Sequence, residues 1–195
     1  MNFTISWISP LILKPHEDIV YDIVRENVEK IRKTGKIIPL IVDSNTLTIL
    51  DGHHRHFASL ILGLKEIPVV FVNYNNEDIV VESWSLRFEN GIDEIFLNML
   101  SGNTKGEYCV RVNSKPVYCD DDIFVLYWKI EKIRQKLIKM GYKVVKTSEK
   151  IGLILPSIGK QDVVKVSGKG LRFPPKSTRH VYKFFIPREE ICLKC

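Results

Sequence analysis

All five histidines of the 195-residue chain fall in three short segments: His16 in KPHE, His53, His54 and His56 in DGHHRH, and His180 in KSTRH. Each segment also carries carboxylates or cations. DGHHR (Asp51 to Arg55) has the strongest chemistry, because it stands where an apolar strand ends and an amphipathic helix begins. Gly52 permits a tight turn and lets a ligand approach the backbone closely. The backbone N–H groups of His53, His54 and Arg55 then open a helix, and the helix dipole adds to their attraction for an anion. Arg55 supplies a planar fork that matches phosphate oxygens. Asp51 has two readings open to it: a cap for that helix, or a hydrogen bond to a ligand or to a hydrated metal ion. No Walker-type G-x-x-x-x-G-K-S/T loop occurs anywhere in the chain.

The other two segments are less specific. Glu17 lies just before the first expected helix, where a carboxylate is favourable to the dipole. Lys176, Ser177, Thr178, Arg179 and His180 follow the rigid Pro174-Pro175 and offer cations and hydroxyls to a carboxylate or phosphate, or form a solvated loop. A metal site from His53, His54 and His56 is disfavoured. His53 and His54 face different ways on a helix, and His53 with His56 is not the usual i,i+4 pair. No metal-ligating residue is therefore expected. Cys109 and Cys119 flank the hairpin-like YCVRVNSKPVYC, and in a cytosolic chain two reduced thiols are expected there. Cys192 and Cys195 form a terminal C-x-x-C with no second pair to complete a zinc site. Two glutamines beside abundant Ile, Lys and Glu lean toward a hot habitat, where an intracellular disulfide is less unusual.

These residues need a scaffold, and the composition supports one. Hydrophobic residues make up 45% and charged residues 27%, an ordinary globular balance that excludes disorder. A formal net charge of +6 favours an anionic partner, nucleic acid or a phosphorylated small molecule. No apolar stretch approaches the roughly 18 residues of a membrane span, and the amino end lacks the pattern of a signal peptide. A soluble cytoplasmic protein without a membrane partner is expected. The first half reads as alternating elements: a helix carrying Val20, Val24, Val28 and Ile31 that stops at Gly35, strands at Ile37 to Asp43 and Thr46 to Leu50, and a helix from His53 to Leu62 that stops at Gly63. Phe57, Leu60, Ile61 and Leu64 form that second helix's apolar face. Strands at Ile67 to Tyr74 and Ile79 to Trp84 complete it. In the second half a mixed connector runs from Phe88 to Tyr108, and the clearest helix of the chain runs from Asp120 to Tyr142. A Gly-rich stretch from Ser167 to His180 and a strand-like VYKFFI follow.

The succession of strand, DGHHR, helix and GLKEIPV resembles the ParB/sulfiredoxin-like superfamily. Sulfiredoxins carry a catalytic cysteine in this loop, where this chain has His53. ParB partition proteins continue into a helix-turn-helix region, and nothing after Trp84 reads as one. The segment with Glu17, DGHHR, Ser83-Trp84 and the late PPKSTRH, in this order, resemble instead the free serine kinase family of archaea. The resemblance implies an α/β (α+β) fold, with a ParB/sulfiredoxin-like phosphate-binding domain at 1-86 and a closely packed second α/β domain at 87-195 that contributes KSTRH.

It further implies phosphorylation of free L-serine to O-phospho-L-serine, with ATP or ADP as donor and Mg2+. By position, Glu17 is then the general base, with Asp18 beside it as the alternative. Asp51, Gly52, His53, His54 and Arg55 hold the nucleotide phosphates, and Trp84 lines the substrate pocket. Lys176, Ser177, Thr178, Arg179 and His180 grip the serine carboxylate or the transferred phosphate. Glu82 or Asp51 answers the serine ammonium. The partners expected are serine and nucleotide, not nucleic acid. The rival readings are a ParB-like nucleic-acid-binding protein or nuclease and a non-catalytic nucleotide sensor. Charge spread along the chain rather than gathered in runs interleaved with aromatics argues against the first.

Overall fold

The structure, a computed structural model, describes residues 4–89 and 93–193. Residues 90–92 of the expected connector and Cys195 of the terminal C-x-x-C lie outside the described residues. The chain is a mixed α/β protein. It opens with β1 (Ile5–Ile8) and α1 (Tyr21–Thr34), followed by β2 (Lys36–Ile37), β3 (Leu40–Asp43), β4 (Ile49–Asp51), α2 (His53–Ile61), β5 (Ile67–Val72) and β6 (Ile79–Ser83). Then come β7 (Ser85–Phe88), α3 (Asp93–Leu100), β8 (Tyr108–Val112), β9 (Lys115–Asp120), α4 (Ile123–Lys139), β10 (Val144–Thr147) and β11 (Leu153–Ile154). Helix α5 (Lys160–Gly168), β12 (Thr178–Tyr182) and β13 (Ile191–Cys192) close the chain.

Contacts divide the chain into two compact units: residues up to 80 with 159–175 and 180 onward, and residues 81–158 with 176–179. A cut at 86/87 follows chain order, whereas the contacts return most of the last 37 positions to the first unit. The reason is visible in the hydrogen bonds. Phe173 bridges Glu17, Ser167 Oγ meets Thr48 Oγ1 at 2.8 Å, and β13 pairs antiparallel with β2.

In the first unit a four-stranded sheet has the order β1-β5-β3-β4, with β3 and β5 parallel and the other pairs antiparallel. Leu40, Val42, Ile49, Ile67 and Val69 pack against Val24, Val28 and Ile31 of α1 and Ala58 of α2. Two expectations shift. Pro39 cannot donate to a ladder, so the strand expected at 37–43 is split into β2 and β3. On α2 the buried face is His53, His56, Ala58 and Ser59, while Ile61 is exposed. Gly35 and Gly63 end their helices in left-handed conformations, as expected.

In the second unit an antiparallel sheet has the order β10-β7-β11-β8-β9. Helix α4 starts later than the sequence indicates, because β9 claims the residues up to Asp120 and Asp122 becomes the N-cap. The reduced-thiol expectation is corrected. The β8–β9 register sets Cys109 directly opposite Cys119, and the two are disulfide-bonded. Compartment was the sole ground for expecting free thiols, and the hairpin register overrides it. KSTRH also departs from a loop: Pro175 and Lys176 turn the chain, with Lys176 at φ 54, and Thr178 onward is strand β12, paired with β6. Among the described residues no helix is long and apolar enough to cross a membrane.

Candidate functional site

Strand β4 delivers Asp51 to the start of α2, and Gly52 is the helix N-cap at φ 105 and ψ 24. Two constraints demand glycine there. The φ is left-handed, and a Cβ would lie 2.8 Å from both Arg55 Nη2 and Leu40 Cγ. Among the described residues no side chain caps the helix, so the first-turn amides of His53, His54 and Arg55 keep the anion-binding character of a helix start. Asp51 is therefore not the cap. Its Oδ2 instead takes Arg55 Nη2 at 3.3 Å and Arg188 Nη1 at 3.0 Å. Burial lowers the Arg55 pKa and Asp51 opposes that effect, but a guanidinium stays charged in proteins. Two cations and one anion beside an uncapped helix start leave a net positive site.

Arg188 is a residue that sequence reasoning missed, since 137 positions separate it from Asp51 and no spacing rule links them. Tyr182 was missed too. Its hydroxyl is buried without a hydrogen-bond partner among the described residues, and burial together with the Asp51 charge pushes its pKa up. His54 is held differently from an inward-facing ligand: its Nε2 accepts the Val20 N–H at 3.0 Å, at the N-cap position of α1. His56 Nε2 lies 2.8 Å from the Pro10 carbonyl, which can only accept, so His56 ties α2 to the chain before it.

Glu17 sits in a short segment held on both sides. Lys14 N–H donates to the Leu47 carbonyl at 2.9 Å, while Phe173 N–H donates to His16 O and Asp18 N–H to Phe173 O, both at 2.8 Å. Glu17 is 9% exposed and His16 fully buried. The His16 ring stands edge-on to His53, the first residue of α2, with centroids 4.5 Å apart, and to His180 at 5.5 Å. His16 Nδ1 lies 2.7 Å from the Ile49 carbonyl, so Nδ1 carries the proton. His53 Nε2 accepts the backbone N–H of His16 at 3.4 Å. The Tyr74 hydroxyl donates to His180 Nε2 at 2.8 Å, since the other ring nitrogen bonds the Leu50 carbonyl. Burial lowers the pKa of all three rings, strongly for His53 and His180, where repulsion from neighbouring histidines adds to it, while at His16 the Glu17 charge and the Ile49 carbonyl oppose it. The first unit thus collects Glu17, Asp51, Gly52, His53, Arg55 and His180 around the start of α2. Asp18, the alternative carboxylate, turns to its neighbour Ile19 N–H at 3.0 Å and toward Arg172 at 3.9 Å.

The second unit holds the remaining expected residues. Trp84 Nε1 donates to the Thr178 carbonyl at 3.1 Å, and Arg179 pairs with Glu82. Lys150 Nζ donates to the carbonyl and hydroxyl oxygens of Ser83 at 2.8 and 2.9 Å. Ser177 and Thr178 are buried, and Lys176 is exposed at the turn. Among the described residues no group of three His, Cys, Asp or Glu side chains is placed to hold a metal ion.

No family model matches the chain. It is 47% identical over 196 residues to a ParB-like protein of Sulfolobus acidocaldarius, covering 99% of this chain and 98% of that one. An ATP-dependent L-serine kinase of Staphylothermus marinus is 25% identical over 212 residues, covering 88% of this chain and 83% of that one. Among solved structures, a Glu-to-Gln mutant of free serine kinase in complex with AMP superposes with a TM-score of 0.80 at 20% identity, over 97% of this chain and 92% of that one. Near-full-length similarity at this identity shows that the chain belongs to the same family as the ParB-like protein of Sulfolobus, and it has the fold of free serine kinase.

Proposed function

We propose that the protein phosphorylates free L-serine to O-phospho-L-serine with ATP or ADP as donor. The observation that carries this reading is the juxtaposition in the first unit. A buried carboxylate, Glu17, adjoins a ring in contact with the first residue of α2, and the start of α2 gathers two guanidinium groups around one carboxylate. Phosphoryl transfer needs mainly positioning and neutralisation of charge. Gly52, His53, His54 and Arg55 would supply both through first-turn amides and a guanidinium, with Arg188 as a second cation. Asp51 would hold both guanidinium groups in place. Glu17 would accept the hydroxyl proton of serine as its oxygen attacks phosphorus.

Trp84, Lys176, Ser177, Thr178, Arg179 and His180 are assigned to serine by their match to the family motifs. Arg179 and Glu82 already form an ion pair, and a zwitterion such as serine offers one charge to each member of such a pair. His180 is the exception in kind, since its ring is engaged by Tyr74 and the Leu50 carbonyl, so its part is to support the site. Mg2+ usually binds through substrate phosphates, a few carboxylates and water rather than in a protein cage. It therefore enters as part of the Mg–nucleotide substrate.

The test is Glu17→Gln. This variant should bind nucleotide like the wild type and lose phosphoserine formation by roughly a hundredfold or more, the order expected for a missing general base. Retained turnover would remove Glu17 from the reaction.

A further inference from the structure

We propose that α4 carries a self-complementary docking face for a second copy of this chain, the two α4 helices running antiparallel about a twofold axis midway between Val125 and Trp128. Helix α4 buries one side in the second unit through Leu126, Ile130 and Leu137. Its other side is not the polar surface of a solvated helix. Val125 is half exposed, and with Phe124, Trp128, Ile133 and Met99 of α3 it lines an apolar cleft of about 620 Å³. The Phe124 and Trp128 rings meet edge to face with centroids 6.5 Å apart, so the rim of the cleft is aromatic and firm.

The order of residues along this face selects a second copy as the occupant. Asp121, Val125, Trp128 and Lys132 are separated by four, three and four positions, the spacing of one helix face. That spacing reads the same in both directions. A twofold axis at its midpoint therefore sets each Val125 against Trp128 of the second copy and each Asp121 against Lys132 of the second copy. At the helical rise the matched stretch is about 16 Å long. Both ends have charge to offer. Among the described residues Asp121 and Lys132 make no ion pair, and neither do Asp120, Asp122, Lys136 and Lys139, which extend the two ends with the same signs. Apolar burial at the centre supplies affinity, and the charged ends set direction. A parallel arrangement would bring acid onto acid and lysine onto lysine. A polyanion could use the lysines but would meet three aspartates at the other end of the helix.

Sedimentation equilibrium of the full chain tests this. The wild type should dimerise at concentrations up to about 100 μM, and Val125→Asp should stay monomeric with an unchanged circular dichroism spectrum. Asp121→Lys and Lys132→Asp each place a like-charged pair at both ends of the interface, and each alone should dimerise roughly tenfold more weakly or worse. An equimolar mixture of those two variants should recover wild-type dimerisation to within about threefold, because the mixed dimer restores an opposite-charge pair at each end. A monomeric wild type, a dimer that survives Val125→Asp, or a mixture no stronger than either charge variant alone would overturn the proposal. Asp121 and Lys132 are both exposed, so the mixing result decides even where Val125→Asp fails to fold.

Discussion

A single glycine decides whether the proposed anion site can form. At φ 105, with Arg55 and Leu40 each 2.8 Å from where a Cβ would stand, Gly52 cannot become alanine without moving the arginine that faces the site or the leucine beneath it. Gly52→Ala should therefore cost about 1–3 kcal/mol of stability and weaken AMP binding, measured by urea unfolding and calorimetry. Normal AMP affinity in a folded Gly52→Ala protein would move the phosphates elsewhere. Arg188 makes a cleaner probe, because it is half exposed and its loss leaves no buried vacancy. Arg188→Gln should raise the donor KM roughly tenfold, the scale of one charge-assisted hydrogen bond, with little change in melting temperature. The sequence displays Asp51 to Arg55 plainly, because all the determinants of a strand-to-helix turn are local. It conceals Arg188, Tyr182 and the His16–His53 contact, because those are made by chain folding back over long separations.

Elements carry the next set of consequences. Segment 14–18, β4, α2 and β12 meet through His16, His53 and His180, all kept neutral by burial. A histidine whose folded pKa lies below its unfolded value of about 6.5 binds its proton on unfolding. Its stabilising contribution is complete above that pH and is lost as pH falls from there through the folded pKa. Stability should then decline below about pH 6.5 by up to about 1.4 kcal/mol per pH unit for each histidine still neutral. Urea unfolding across pH 5 to 7 checks this, and a flat profile would mean that the rings are charged in the native state. In the second unit the β8–β9 hairpin is closed by Cys109–Cys119, ten positions apart. Reduction should cost about 2–3 kcal/mol on the chain-entropy estimate, seen as a lower midpoint with dithiothreitol. Helices α1, α2 and α4 were legible because their apolar spacing and glycine stops are periodic and local. Helix α5 and the split at Pro39 were not, the first because KQDVVKVSG has little sidedness, the second because the run of Ile and Leu hides the proline's missing donor.

At the scale of the whole molecule, the mixed α/β fold could be read from the sequence, and the strand–DGHHR–helix core stands as expected. The domain layout was harder to read. A chain that leaves its first unit near residue 80 and returns at 159 leaves no compositional mark, because neither crossing is made by a linker. The surplus of +6 charges has a local expression in Arg55 and Arg188 at the start of α2. That placement suits a nucleotide's phosphates better than a long polyanion, which needs a continuous track. The most direct measurement is mass spectrometry of the products after warm incubation with L-serine, Mg2+ and either ATP or ADP. O-phosphoserine should accumulate with at least one donor, in step with the shortened nucleotide. Folded, nucleotide-binding protein that makes none with either donor would contradict the account and leave a nucleotide sensor in its place.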